Sequence, residues 1–171
     1  MKRIILAILV LFTSNLYANE SSFFGIDINR NLNMYDSNSE KQYDTGATVK
    51  AGSISNDRRH YISYSRPQDK NNIKYENVLY NYDLLLEKQK EIIPYIGVHA
   101  GLGILHFNNQ KQETFDFGLK VGFIYEIFED SNIDFGFKIS NTNDVYIGNI
   151  KLKQTQNFYI GYGISFEDLL Y

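Results

Sequence analysis

The sequence contains no cysteine. That excludes a disulfide framework, cysteine-ligated zinc, a thiol nucleophile and a lipid-modified N-terminal cysteine. There is no tryptophan, so the 15% aromatic content is carried by Tyr and Phe. Beyond the first 18 residues no apolar run is long enough for a transmembrane helix. No basic stripe is present to hold nucleic-acid phosphates. The three histidines, His60, His99 and His106, are scattered and suggest no metal site.

What is present begins with a leader. Lys2 and Arg3 precede an apolar run from Ile4 to Phe12, followed by Thr13 to Ala18. This pattern predicts a secretory signal peptide over residues 1–18, cleaved after Ala18, with the mature domain at 19–171. Leu16 stands where a small residue is usual. Without the leader the chain carries 15 basic and 20 acidic residues, a net charge of −5.

The clearest signal lies between Pro94 and Ile127. Pro94, Ile96, Val98, Ala100, Leu102 and Ile104 alternate with Tyr95, Gly97, His99, Gly101, Gly103 and Leu105. After a polar break from Asn108 to Glu113, Phe115, Phe117, Leu119, Val121, Phe123, Tyr125 and Ile127 alternate with Asp116, Gly118, Lys120, Gly122, Ile124 and Glu126. A period of two over such runs predicts two antiparallel strands. A helix would smear the apolar residues around its surface, and its glycines would weaken it. The second face is largely glycine with isolated charges. That suits the crowded inside of a narrow barrel whose apolar face meets lipid. Each run matches a tilted membrane-spanning strand of roughly 9–11 residues or slightly more.

The same alternation divides the rest of the mature chain. Strand one opens at Ser21 with Phe24, Ile26 and Ile28 against Gly25, Asp27 and Asn29. Strand two, Tyr43–Ser55, sets Ala47, Val49 and Ala51 against Thr48, Lys50 and Gly52. Strand three, Arg58–Arg66, has His60, Ile62 and Tyr64 on one face and Tyr61, Ser63 and Ser65 on the other; the pattern leaves its facing open. Strand four spans Lys74–Glu87, strand seven Ile133–Asn141 and strand eight Ile150–Phe166. Tight turns are expected at Asn56-Asp57, Lys88–Lys90 and Glu129–Asn132. Longer polar loops are expected at Asn33–Gln42, Pro67–Asn72 and Asn141–Asn149, with a strand extension through Tyr146 as the alternative in the last. The implied architecture is all-β, an eight-stranded antiparallel up-and-down transmembrane β-barrel. Short turns belong on the periplasmic side and longer loops outside. No linker marks a second domain.

The glycine-rich runs Pro94–Gly103 and Gly118–Tyr125, with the closing strand, resemble the small eight-stranded outer-membrane barrels: the OmpA transmembrane domain, OmpX and the opacity-type proteins. The resemblance covers essentially all of the mature chain. It implies residence in the bacterial outer membrane and contact with outer-membrane lipids. It also implies insertion by the barrel-assembly machinery with periplasmic chaperones. It further implies an assembly signal in the last strand, matched here by Tyr159, Gly161, Ile164 and Phe166. Glu167 to Tyr171 follow, so either Phe166 or Tyr171 ends that signal.

The charges expected inside are Asp27, Lys50, Asp83, His99, Asp116, Lys120, Glu126, Asp134 and Lys138. Hairpin register places Glu126 near Asp134. Both signs in a narrow interior predict a salt-bridged structural plug, since buried charges need partners; the alternative is a proton or ion path. A lipid-hydrolysing barrel would need a Ser–His–acid group at one membrane face, and the three histidines are not expected to converge on one. Aromatics at strand ends (Phe24, Tyr43, Tyr64, Tyr75, Phe107, Phe115, Phe128, Phe158, Phe166) predict two interfacial girdles.

The functional expectation is a non-enzymatic outer-membrane barrel with a structural or surface-interaction role, adhesion included. It carries no cofactor, no metal and no nucleic-acid partner. A small passive channel and a soluble periplasmic ligand-binding barrel are the alternatives. The second requires an apolar interior cavity.

Overall fold

The computed structural model describes residues 21–35, 41–55, 57–68, 73–86, 91–107, 110–147 and 150–166. The predicted signal peptide and the last residues of the chain lie outside the described residues. Eight strands close one barrel in sequence order. They are β1 (Ser21–Tyr35), β2 (Lys41–Ser55), β3 (Arg58–Pro67), β4 (Ile73–Leu85), β5 (Ile92–Phe107), β6 (Gln110–Phe128), β7 (Ser131–Ile147) and β8 (Ile150–Phe166). Every neighbouring pair is antiparallel, and β1 pairs with β8 to close the ladder. Closure leaves no strand edge, the condition for a sheet to cross hydrocarbon.

Alternation turns this barrel inside out relative to a soluble one. Phe24, Ile26, Ile28, Val98, Leu119, Val121, Phe158 and Ile160 are exposed on the outer wall. Among the buried positions, polar and charged residues outnumber apolar ones. The apolar girdle therefore has no partner within the chain, and the polar core is sealed from solvent by the wall itself.

The glycines on the inner face make room for large neighbours. A Cβ on Gly97 would collide with the Asp83 carboxylate, one on Gly161 with Asp27, and one on Gly136 with the Tyr159 ring. Eight strands enclose a lumen that side chains can fill, and glycine decides where the larger ones fit.

Several boundaries differ from the sequence expectation. The Asn141–Asn149 loop is mostly strand: β7 continues to Ile147 past a bulge between Asn141 and Val145. The polar break after Phe107 is also short, because β6 already starts at Gln110. Six residues separate β4 from β5, and the turn expected at Lys88–Lys90 lies outside the described residues. Polar residues such as Gln110, Lys111 and Asn141 stay in strand where the barrel wall rises above the apolar girdle, because water suits their side chains while the ladder holds their backbone. Pro67 ends β3 rather than opening a loop, a position where its missing N–H costs little.

Candidate functional site

The interior holds the only dense constellation of reactive side chains among the described residues. It is built in layers along the barrel axis. At the end carrying both ends of the described chain, Leu85, Ile93, Tyr95 and Ile124 pack together with Ile54 beside them. This apolar cluster, drawn from β4, β5 and β6 with β2 beside it, forms a lid over that side of the lumen.

Above it runs a chain of six charges of alternating sign. Asp27 Oδ1 lies 2.7 Å from Lys50 Nζ, and Lys50 donates to Asp134 Oδ2 at 2.8 Å. Arg59 Nη1 donates to the same Asp134 oxygen at 2.8 Å. Its Nε and Nη2 reach Asp83 Oδ2 at 3.0 and 2.8 Å. Lys120 closes the chain, 2.7 Å from Asp83 Oδ1 and donating to Tyr61 at 2.5 Å and Asn81 at 3.1 Å. Three acids and three bases balance, so charges that would be costly to desolvate singly are compensated within the lumen.

The six charges come from β1, β2, β7, β3, β4 and β6, and tyrosines from β5 and β8 complete the circle. Tyr95 donates to Asp134 Oδ1 at 2.7 Å, and Tyr95 and Tyr159 are hydrogen-bonded to each other. The Arg59 guanidinium lies 4.9 Å from the Tyr95 ring centroid and 5.1 Å from that of Tyr61, within cation–π range.

Further from the lid sits a smaller group. Asp116 Oδ2 accepts from Tyr75 at 2.8 Å and from Asn77 at 3.0 Å. His99 Nε2 is 2.8 Å from Ser140 Oγ and 3.6 Å from Asp116 Oδ1. His99 thus meets a serine and an acid inside the lumen, a grouping the sequence did not point to, while His60 and His106 lie elsewhere. The geometry of His99, Ser140 and Asp116 is not that of a nucleophilic triad. Both partners face the same ring nitrogen, Nδ1 has no hydrogen bond, and Ser140 and Asp116 are fully buried. A triad needs the acid on the other nitrogen and a serine open to substrate.

The last layer is lined by Asn29, Asn31, Asn77, Thr155 and Asn157 with Lys138, around a cavity of about 20 Å³. That is room for roughly one water molecule.

Eight of the nine predicted interior charges line this lumen. Glu126 is the exception and is corrected: it is exposed. Its register partner is Asn132, whereas Asp134 faces Ile124. The ladder shifts between Glu126 and Phe128, so the strand has already left the barrel core there. Tyr75 is also corrected, from the girdle to the interior, where it is buried against Asp116. The assembly-signal residues split between faces: Tyr159 and Gly161 point inward, Ile164 and Phe166 outward. Arg59, the centre of the charge chain, escaped the sequence reading. Its signal was parity with Tyr61 and Ser63, which is usable only once the facing of β3 is known.

No protein-family model matches the chain, and no curated protein does. Solved structures match it well despite low identity. Neisserial surface protein A superposes with a TM-score of 0.73 at 16% identity, over 87% of this chain and 100% of that one. The chain has the fold of the small eight-stranded outer-membrane barrels. The N-terminal barrel of Pseudomonas aeruginosa OprF gives 0.55 at 13% identity, covering 83% of this chain and 97% of that one. Ail, the attachment invasion locus protein of Yersinia pestis, solved with the heparin analogue sucrose octasulfate, gives 0.54 at 12% identity, covering 87% and 100%.

Proposed function

We propose that this chain is an integral protein of the bacterial outer membrane, non-enzymatic and closed to solutes, that stabilises the envelope and presents its loop end as an interaction surface. The observation that carries this reading is the six-charge chain drawn from six strands, with tyrosines from the other two completing the circle. It occupies the lumen where a channel would need water and a ligand-binding barrel would need an apolar cavity. The outward apolar girdle supports insertion rather than solubility. The end with the chain termini is assigned to the periplasm and the opposite end to the exterior. A surface role is in keeping with Ail, a barrel of the same fold solved with a polyanionic ligand.

The test is electrophoresis of the outer-membrane fraction in SDS with and without boiling. A closed ladder resists SDS unheated and runs at a different apparent mass, so a heat-dependent shift is expected. Recovery in the soluble periplasmic fraction without a shift would overturn the reading.

A further inference from the structure

Among the described residues the two ends of the barrel carry opposite net charge. At the end assigned to the periplasm, the exposed charged residues among those described are Asp57, Glu91, Glu126, Glu129 and Asp130 against Arg58 alone. At the opposite end the exposed and half-buried charges among those described are Arg30, Arg66, Lys74, Lys111, Lys151 and Lys153 against Glu76 and Glu113.

Of these basic residues, Arg30, Lys151 and Lys153 lie on β1 and β8, and the other three, Arg66, Lys74 and Lys111, lie on the wall of β3 to β6. Glu76 organises them: its Oε1 lies 2.7 Å from Lys74 Nζ and 3.6 Å from Arg66 Nε, and its Oε2 lies 3.5 Å from His106 Nε2. Lys111 is the register partner of His106 and is exposed. One carboxylate thus holds two cations and an imidazole in one patch. Glu113, exposed one outward step below Lys111, leaves the group with a net positive charge. The Arg66 side chain remains 62% exposed, so most of its guanidinium donors stay free.

The height of this patch fixes what meets it. On β3 the outward series is Ile62, Tyr64, then Arg66; on β4 it is Tyr80, Val78, then Glu76 and Lys74; on β5 it is Leu102, Ile104, then His106. Arg66, Glu76 and His106 are the first outward positions beyond the apolar girdle, and Lys74 and Lys111 lie one further side-chain repeat, about 6.6 Å, along their strands. These side chains project sideways from the wall, at the level where hydrocarbon gives way to headgroups. Planar guanidinium and ammonium donors on a lateral face at that depth suit phosphate oxygens.

We propose that the β3–β6 wall at the loop end seats the phosphate groups of outer-leaflet lipid, with Arg66, Lys74 and Lys111 as the phosphate donors and Glu76 as the residue that positions them. The proposal rests on the membrane orientation given above. It makes the charged collar a lipid-binding site and a device that fixes the depth of the barrel.

The test uses the full mature barrel in detergent. A phosphorylated glycolipid is titrated in and the bound stoichiometry read by native mass spectrometry, beside its dephosphorylated form and free inorganic phosphate. The comparison variants are Arg66→Gln/Lys74→Gln/Lys111→Gln and, at the other end, Glu126→Gln/Glu129→Gln. Preferential binding of the phosphorylated lipid is expected, weakened about fivefold for each base removed and unchanged in the acidic-end variant. Equal binding by the triple variant, or equal binding of the dephosphorylated lipid, would overturn the site. Saturation by inorganic phosphate alone would assign it to a soluble anion and overturn the lipid assignment. The heat-dependent gel shift is recorded on every variant. Its absence in the wild type would indict the membrane-barrel reading, whereas its presence with phosphate-independent binding would indict this inference alone.

Discussion

Arg59 and Asp83 form a forked pair inside the barrel, with Nε and Nη2 of the guanidinium both on Oδ2 at 3.0 and 2.8 Å. Arg59 also reaches Asp134, so one side chain from β3 ties β4 to β7 across the lumen. Removing it strands two carboxylates that then share only Lys120 and Lys50. Arg59→Ala is expected to cost about 3–5 kcal/mol. The measurement is urea unfolding of the barrel reconstituted in vesicles. A loss below about 1 kcal/mol would mean the two lysines suffice and Arg59 is dispensable.

The outer and inner faces should answer substitution differently. Val121 is 51% exposed on the outer wall, and arginine there is expected to cost roughly 2–4 kcal/mol by placing charge in hydrocarbon. At Gly122 the obstacle is steric, because even a Cβ would meet the Phe135 carbonyl and the Tyr95 ring. Gly122→Ala should therefore already reduce assembly, while Val121→Ala should not. The heat-shifted fraction in outer-membrane preparations reports both. Normal assembly of Val121→Arg would show that this face does not meet lipid.

The barrel and most of its inward charges were legible in the sequence because strand parity is binary. Once one face of a strand is known to meet lipid, every second residue is assigned. Asp83, Asp116, Lys120 and Asp134 followed from that rule. What parity does not encode is where a strand leaves the core, and Glu126 fell inward on paper for that reason. Nor does it encode the rotation of a strand with mixed faces. β3 pairs His60, Ile62 and Tyr64 against Tyr61, Ser63 and Ser65, two faces of similar hydropathy. Arg59 stayed hidden behind that ambiguity, and with it the link between the β4 and β7 carboxylates. The joining of His99 with Ser140 was illegible for another reason. They lie 41 residues apart, on β5 and β7, and meet only across β6, where Gly118 leaves the space between them open.

Packing around Gly97 gives a third expectation. A methyl group there would press on the Asp83 carboxylate and the Lys120 side chain together. Gly97→Ala is expected to lose about 1–3 kcal/mol as the charge chain is displaced. The double variant Gly97→Ala/Asp83→Ala should lose less stability than the sum of the two single losses, since both changes act on one contact. Strict additivity in urea unfolding would place the methyl group elsewhere.

The Ser140–His99–Asp116 group is expected to be structural. Ser140→Ala and His99→Ala should leave the composition of outer-membrane lipids unchanged when purified barrel is added, because Ser140 is fully buried and shares one nitrogen with the acid. They should instead lower stability by about 1–3 kcal/mol, the cost of leaving a buried polar group without its partner. Lipid cleavage by the wild type that disappears in Ser140→Ala would make the group a catalytic one.

Two layers joined at Tyr95 fill the lumen, and conductance should report each. The charge chain fills the middle, and Leu85, Ile93, Tyr95 and Ile124 seal the end nearest the termini. In planar bilayers the wild type is expected to give no current above background. Arg59→Ala alone should stay silent, because the apolar lid excludes water below the gap it leaves. Adding Ile93→Ala and Ile124→Ala thins that lid, and only then should discrete steps emerge. Steady steps from the wild type would make the barrel a passive channel and require the charge chain to part. Steps from Arg59→Ala alone would show that the lid is not a seal, and that the ion pairs carry the closure by themselves.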